Sequence, residues 1–146
     1  MAQFASASFT GTSGTALTTA DTNWTKHPTA SAANVVISNA GRARQSATNG
    51  GGTLYTHNGA PASADYTVSA TLFTKEANGG DSNGVGVTGR TDASQHTLYR
   101  AAYTGLTTDA WQLHKWVNGT ATQLGSNSAQ SLTDETGYAV ELRMVG

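Results

Sequence analysis

In the run from Asp65 to Thr74 the chain alternates as far as Leu72. Tyr66, Val68, Ala70 and Leu72 take one side, and Thr67, Ser69 and Thr71 take the other. A repeat of two is the repeat of a β-strand, and one apolar face opposite a hydroxyl face describes a sheet with core on one side and water on the other. Such a strand cannot stand alone. It requires neighbours that pair with its backbone and a second layer to cover its apolar face.

The rest of the chain supplies candidates. Gly84 to Thr88 alternates Gly with Val, a spacing that lets another layer approach closely. Gln95 to Tyr103 and Ala110 to Val117 form two further strands joined around Gly105. Asn118-Gly119 is a strong two-residue hairpin signal leading into Thr120 to Leu124. Tyr138 to Val145 reads as another strand, and Val35 to Ser38, Arg42 to Ser46, Leu54 to His57 and Gln3 to Thr10 as shorter ones. Asn78 to Gly84 is a turn of residues that tolerate positive φ. Helical periodicity, long charge runs and long repeats are absent. About nine or ten strands with regular turns imply a single all-β domain over residues 1–146, a sandwich or jelly roll.

Charge narrows the partners. Lys and Arg number 8 against 9 Asp and Glu, and only 12% of residues are charged, so the basic surplus that binds nucleic acid is missing. The absence of cysteine excludes disulfide staples and thiolate chemistry. No apolar run approaches the roughly 20 residues of a membrane-spanning helix, so membrane insertion is not expected. Met1-Ala2-Gln3-Phe4 shows no secretory signal pattern. Abundant Ser, Thr and Gly without a leader suit a protein that leaves the cell without the secretory route, such as a virion component. Low charge also lets many identical copies pack side by side without strong repulsion.

The order of segments resembles a known family. Ala64 to Ala70, Gly84-Val85-Gly86-Val87, Thr97 to Arg100, the Trp111 to Thr120 hairpin and Tyr138 to Gly146 together resemble concanavalin A-like lectin/glucanase domains. Phe9-Thr10-Gly11, Gly14 to Leu17 and Trp24-Thr25 are similar to the opening of laminin G-like domains in phage and bacterial surface proteins. The resemblance implies a jelly-roll sandwich of two antiparallel sheets. It also implies a further strand beyond Glu141-Leu142-Arg143, where the sequence stops at Gly146. The expectation is a fold shortened at its C-terminal end, or an edge covered by a neighbouring chain.

Catalytic chemistry finds little support in these residues. The resembled glucanases need two carboxylates on one strand face, whereas Asp134-Glu135 reads as a turn and Glu141 stands alone. His27, His57, His96 and His114 show no metal-ligand spacing, and no Gly-x-Ser-x-Gly elbow occurs. Gly50-Gly51-Gly52 and Gly79-Gly80 lack the following Lys-Ser/Thr of a phosphate loop. Asp81-Ser82-Asn83-Gly84 resembles half of a calcium loop, with Asp81 and Asn83 as the candidate ligands. A turn rich in Asp, Asn and Gly is the simpler explanation, and no other cofactor is implied.

The aromatic residues offer more. Trp111, Leu113 and Lys115 share one face of their strand, and Gln112, His114 and Trp116 the other. The second set is a ring platform with two hydrogen-bonding neighbours, as sugar sites use, and Tyr99, Ala101 and Tyr103 on the adjacent strand could extend it, with Arg100 on the alternate face. The same pattern also serves if Trp116 packs under a loop or against a neighbouring chain. The resulting expectation is a non-enzymatic phage virion-surface protein, structural or adhesive, decorating a capsid or tail. Its partners would be other virion proteins, further copies of itself and host glycans. A purely structural subunit and a glycan-degrading enzyme are the alternatives.

Overall fold

The computed structural model describes residues 3, 5–31, 33–46, 52–73, 84–104 and 109–146, and every structural statement below concerns these. The chain forms two compact units, Met1–Ala62 and Ser63–Gly146. It is all-β, with one four-residue helix and antiparallel pairing in every sheet.

In the first unit, the short helix α1 (Leu17–Ala20) precedes β1 (Trp24–Lys26), β2 (Val35–Ile37), β3 (Ala43–Gln45) and β4 (Tyr55–His57). β1 pairs β4, β2 pairs β3, and Ala16 bridges to Val36. Leu17, Val36 and Ile37 are buried, Ile37 completely. Trp24 lies between Phe9 (ring centroids 5.8 Å) and His57 (5.3 Å, edge-on). Residues 3 and 5–10 form no strand, contrary to the short strand expected at Gln3 to Thr10. Phe9 instead takes a positive φ of 47°, which breaks an extended run.

The second unit holds β5 (Tyr66–Phe73), β6 (Gly84–Gly89), β7 (Leu98–Thr104), β8 (Ala110–Val117), β9 (Thr120–Gln123), β10 (Ser128–Ala129) and β11 (Gly137–Met144). β6, β7 and β8 lie side by side, and both β9 and β10 pair with the outer edge of β8. Gly125, at φ 76°, lies between β9 and β10. β5 and β11 form a separate two-stranded ladder running from Tyr66 opposite Met144 to Phe73 opposite Gly137. The alternation in β5 is realised: its apolar face meets Val87, Leu142 and Met144 around Leu72, and Ser69 and Thr71 are exposed. Val85, Tyr99, Ala101 and Trp111 of the larger sheet pack on the same cluster, so the two ladders share one core.

Asn118 and Gly119 both have positive φ, 48° and 82°, and close the β8–β9 hairpin as their sequence dictates. The Gly-Val alternation of β6 works differently from the expectation. Gly89 approaches Met144 of the other ladder, but Gly86 is crowded by the backbone of Ala101 and Ala102 in its own sheet. Gly146 is tied down on both sides: its N–H donates to Asp65 Oδ1 (2.8 Å) and its carbonyl accepts from Arg90 Nη2 (2.6 Å). Among the described residues, no helix is long and apolar enough to cross a membrane.

Candidate functional site

Register decides which side chains of the larger sheet stand together. In an antiparallel pair, residues directly opposite point to the same face. β7 sets Tyr103 opposite Trp111, Ala101 opposite Leu113 and Tyr99 opposite Lys115. On this face Tyr99, Ala101 and Trp111 pack on the core cluster and Tyr103 is buried, while Leu113 and Lys115 are exposed. The other face carries Leu98 opposite Trp116, Arg100 opposite His114, and Ala102 opposite Gln112.

The expected extension of the Gln112–His114–Trp116 face by Tyr99, Ala101 and Tyr103 is therefore corrected. All three lie on the opposite face. Tyr103 is only 4% exposed, stacks edge-on against Trp111 at 5.4 Å and donates its hydroxyl to Asp109 Oδ1 (3.2 Å). Burial, and then the Asp109 hydrogen bond and charge, push its phenol above the ordinary value. Tyr99 packs on the core, with the Lys115 ammonium 6.0 Å from its ring centre.

Arg100 takes their place. It is one member of a row crossing four strands: Thr88 of β6, Arg100 of β7, His114 of β8 and Gln123 of β9 are successive direct partners. Three inter-strand spacings make this row about 14 Å long. Arg100 Nε and His114 Nδ1 are both shut off from solvent without a hydrogen-bond partner, as is Trp116 Nε1 beside them. Desolvation lowers the Arg100 guanidinium from its ordinary value. Burial and then the Arg100 charge lower His114, so the imidazole is held neutral over a wider pH range.

Trp116 is not an open platform. The His96 ring lies parallel to its indole, centroids 4.4 Å apart and planes 6° apart, and Arg100 Cζ sits 5.3 Å from the indole centre. His96 and Arg100 stand two residues either side of Leu98, the direct partner of Trp116, so they flank the ring along β7. A pyranose stacking on that indole would have to displace one of them.

Gln112 is turned along the sheet edge. Its Nε2 donates to Asn127 Oδ1 (3.2 Å), which also accepts from Gln123 Nε2 (2.7 Å). Gln123 Nε2 reaches Gly125 O as well (3.1 Å). These amides tie the β9–β10 connection to the row's outer end.

The other candidates are dispersed. Asp134 and Glu135 occupy an exposed turn in which Glu135 has φ 58°. Glu141 is exposed on β11 opposite Ser69. His27 is buried, its Nδ1 bonded to Thr29, and His57 Nδ1 accepts from Gly59 N–H (2.9 Å). Asp81 and Asn83, the calcium candidates, lie outside the described residues. Among the described residues, no three His, Asp or Glu side chains gather closely enough to hold a metal ion.

Sequence reasoning put Arg100 on the alternate face and missed Thr88, Gln123 and His96. The hairpin could have given Gln123, since counting outward from Asn118-Gly119 pairs Val117 with Thr120 and His114 with Gln123. The sequence between β7 and β8 carries no such two-residue turn signal, so nothing in it set Arg100 against His114. No family model matches the chain, and no curated protein or solved structure is detectably similar to it.

Proposed function

We propose that this chain is a non-catalytic recognition module of a surface assembly, an adhesion component of the phage virion type, and that it binds glycans. The observation that carries the reading is the polar row Thr88–Arg100–His114–Gln123, two of whose members keep buried polar atoms without a partner. Arg100 and His114 make no side-chain hydrogen bond to a described residue, so the hydrogen-bonding capacity of their remaining side-chain nitrogens is unspent. Sugar hydroxyls donate and accept, which suits a row mixing cation, imidazole, amide and hydroxyl. Recognition is by hydrogen bonding along the row rather than by stacking on Trp116. Weak single-site binding becomes useful when many copies act together.

The concanavalin A-like jelly roll belongs to this proposal, supported by the antiparallel ladders sharing one core and by the resembling segments. So does the virion surface, supported by the neutral composition rich in Ser, Thr and Gly. A glycan array probed with the whole chain and with His114→Ala tests the reading. Binding that the substitution weakens tenfold or more is expected, and silence across the array would overturn it.

A purely structural subunit is the second reading. Among the described residues β5 and β11 pair only with each other, leaving the outer edge of each ladder strand available to another chain. Solution size separates the two: a monomer that binds glycans supports the first, and an assembly that binds none supports the second.

A further inference from the structure

Arg100 poses a problem of charge as well as of hydrogen bonding. It is half-buried, its Nε is shut off from solvent, and no hydrogen bond or ion pair from its side chain reaches a described residue. Its neighbours are neutral: Trp116 beside it, Thr88 and His114 opposite it on either strand. Among the described residues, the acids of its unit make other contacts or stand on exposed turns and faces, and Glu76 and Asp81 lie outside the described residues. Asp65 accepts from Gly146, Asp92 from Ser94 and Gln95, and Asp109 from Tyr103. Asp134 and Glu135 occupy the turn before β11, and Glu141 lies on the exposed face of the other ladder.

A partly desolvated cation is disfavoured when no anion stands against it. Among the described residues the row thus lacks one component, and its sign is negative. Resting on the glycan reading above, we infer that the ligand is an acidic glycan, whose carboxylate or sulfate pairs with the Arg100 guanidinium while its hydroxyls use His114, Gln123 and Thr88. A planar guanidinium suits such oxygens, offering two parallel N–H bonds to one group. The indole of Trp116 stands beside the guanidinium, so less freedom is lost when the anion arrives.

Binding of three probes by the whole chain tests this: oligogalacturonate carrying carboxylates, dextran sulfate carrying sulfates, and unmodified dextran. The expected result is binding of at least one acidic probe and none of dextran, weakened tenfold or more by Arg100→Gln. Lys115→Gln, which removes an exposed cation from the opposite face, should leave it unchanged. The preference between the two acidic probes tells carboxylate from sulfate. Should Arg100→Gln fold poorly, Arg100→Lys keeps the charge without the fork and should lose affinity by a smaller factor. In addition, the acidic probe should raise the Tm of the wild-type chain. Acidic binding that survives Arg100→Gln, or falls equally with Lys115→Gln, would overturn the site. Neutral glycans binding as well as acidic ones would overturn the acidic class and leave the glycan reading intact. Silence from these probes and from the full array would overturn both.

Discussion

Arg100 and His114 face each other across β7 and β8, a fixed cation directly opposite an imidazole that is already partly desolvated. Both influences disfavour the imidazolium, and burial is the larger. In the unfolded chain His114 titrates in the ordinary histidine range, above its folded value. Between the depressed folded value and that range the unfolded state therefore binds more protons than the folded state. The stability contributed by neutral His114 is complete above the ordinary histidine pKa and is lost as pH falls through the depressed one. Between about pH 7 and pH 5, unfolding free energy should decline in the wild type and decline less in His114→Gln. In Arg100→Gln, the His114 ring resonances should titrate at higher pH than in wild type. Identical pH slopes for wild type and His114→Gln would show that the pairing does not perturb the imidazole.

Gly86 should be the least replaceable glycine of β6. A Cβ there would fall inside van der Waals contact with Ala101 O and 2.7 Å from Ala102 Cβ, and backbone atoms of a central strand cannot step aside. Gly86→Ala should destabilise by about 1–3 kcal/mol or more. Gly84→Ala, whose nearest atom would be Tyr103 O at 3.6 Å, should be close to neutral. Urea unfolding of the two variants measures the difference, and similar midpoints would contradict the crowding at Gly86.

The comparison of β6 with β5 shows what sequence could reveal. In β5 the alternation of Tyr66, Val68, Ala70 and Leu72 with hydroxyl residues specifies the buried face directly, because burial repeats with the strand period. In β6 the small residues were legible as a sign of close approach, but not whether the approach is between layers or within the sheet. The site divides in the same way. Gln112, His114 and Trp116 share a face by local period alone, and Gln123 joins them through a two-residue turn of fixed geometry. Arg100 joins through a register set by long-range pairing, and its alternation within β7 says nothing about which β8 residue it meets.

Gly119 closes the hairpin that carries Gln123 into the row. Its φ of 82° is one that only glycine adopts without strain, while its side-chain position opens onto empty space. Gly119→Ala should therefore cost about 1 kcal/mol from backbone conformation alone. Asn118→Gly should be tolerated within a few tenths, since φ 48° suits both residues. Chemical denaturation checks the pair. A Gly119→Ala variant as stable as wild type would mean that the turn relaxes to another type, and Gln123 would then leave its place opposite His114.

Leu142 lies in the core of the second unit, 7% exposed, between Leu72 and Met144. Truncation to Ala removes apolar contacts and leaves a cavity that neighbours on two ladders cannot fill together. Leu142→Ala should lose about 2–4 kcal/mol. Val145→Ala, at a side chain 63% exposed, should change stability by less than about 0.5 kcal/mol. Equal effects would mean that β11 does not bury the face its register assigns.

Trp116 separates packing from recognition. Its indole contributes stacking area against His96 and a contact with Arg100, but its Nε1 is buried with no acceptor. Trp116→Phe keeps an aromatic face against the imidazole and deletes the unpaired donor, so the gain offsets part of the lost area. Its stability should stay within about 1 kcal/mol of wild type, whereas Trp116→Ala removes the ring altogether and should lose about 2–3 kcal/mol. Glycan affinity gives the second readout. If Trp116 only positions Arg100, Trp116→Phe should bind within twofold of wild type and Trp116→Ala should bind more weakly because the guanidinium is no longer held. If Trp116→Phe loses affinity while its Tm is unchanged, the indole N–H itself meets the ligand. Calorimetry on the three proteins, at one pH and one salt concentration, distinguishes the two roles.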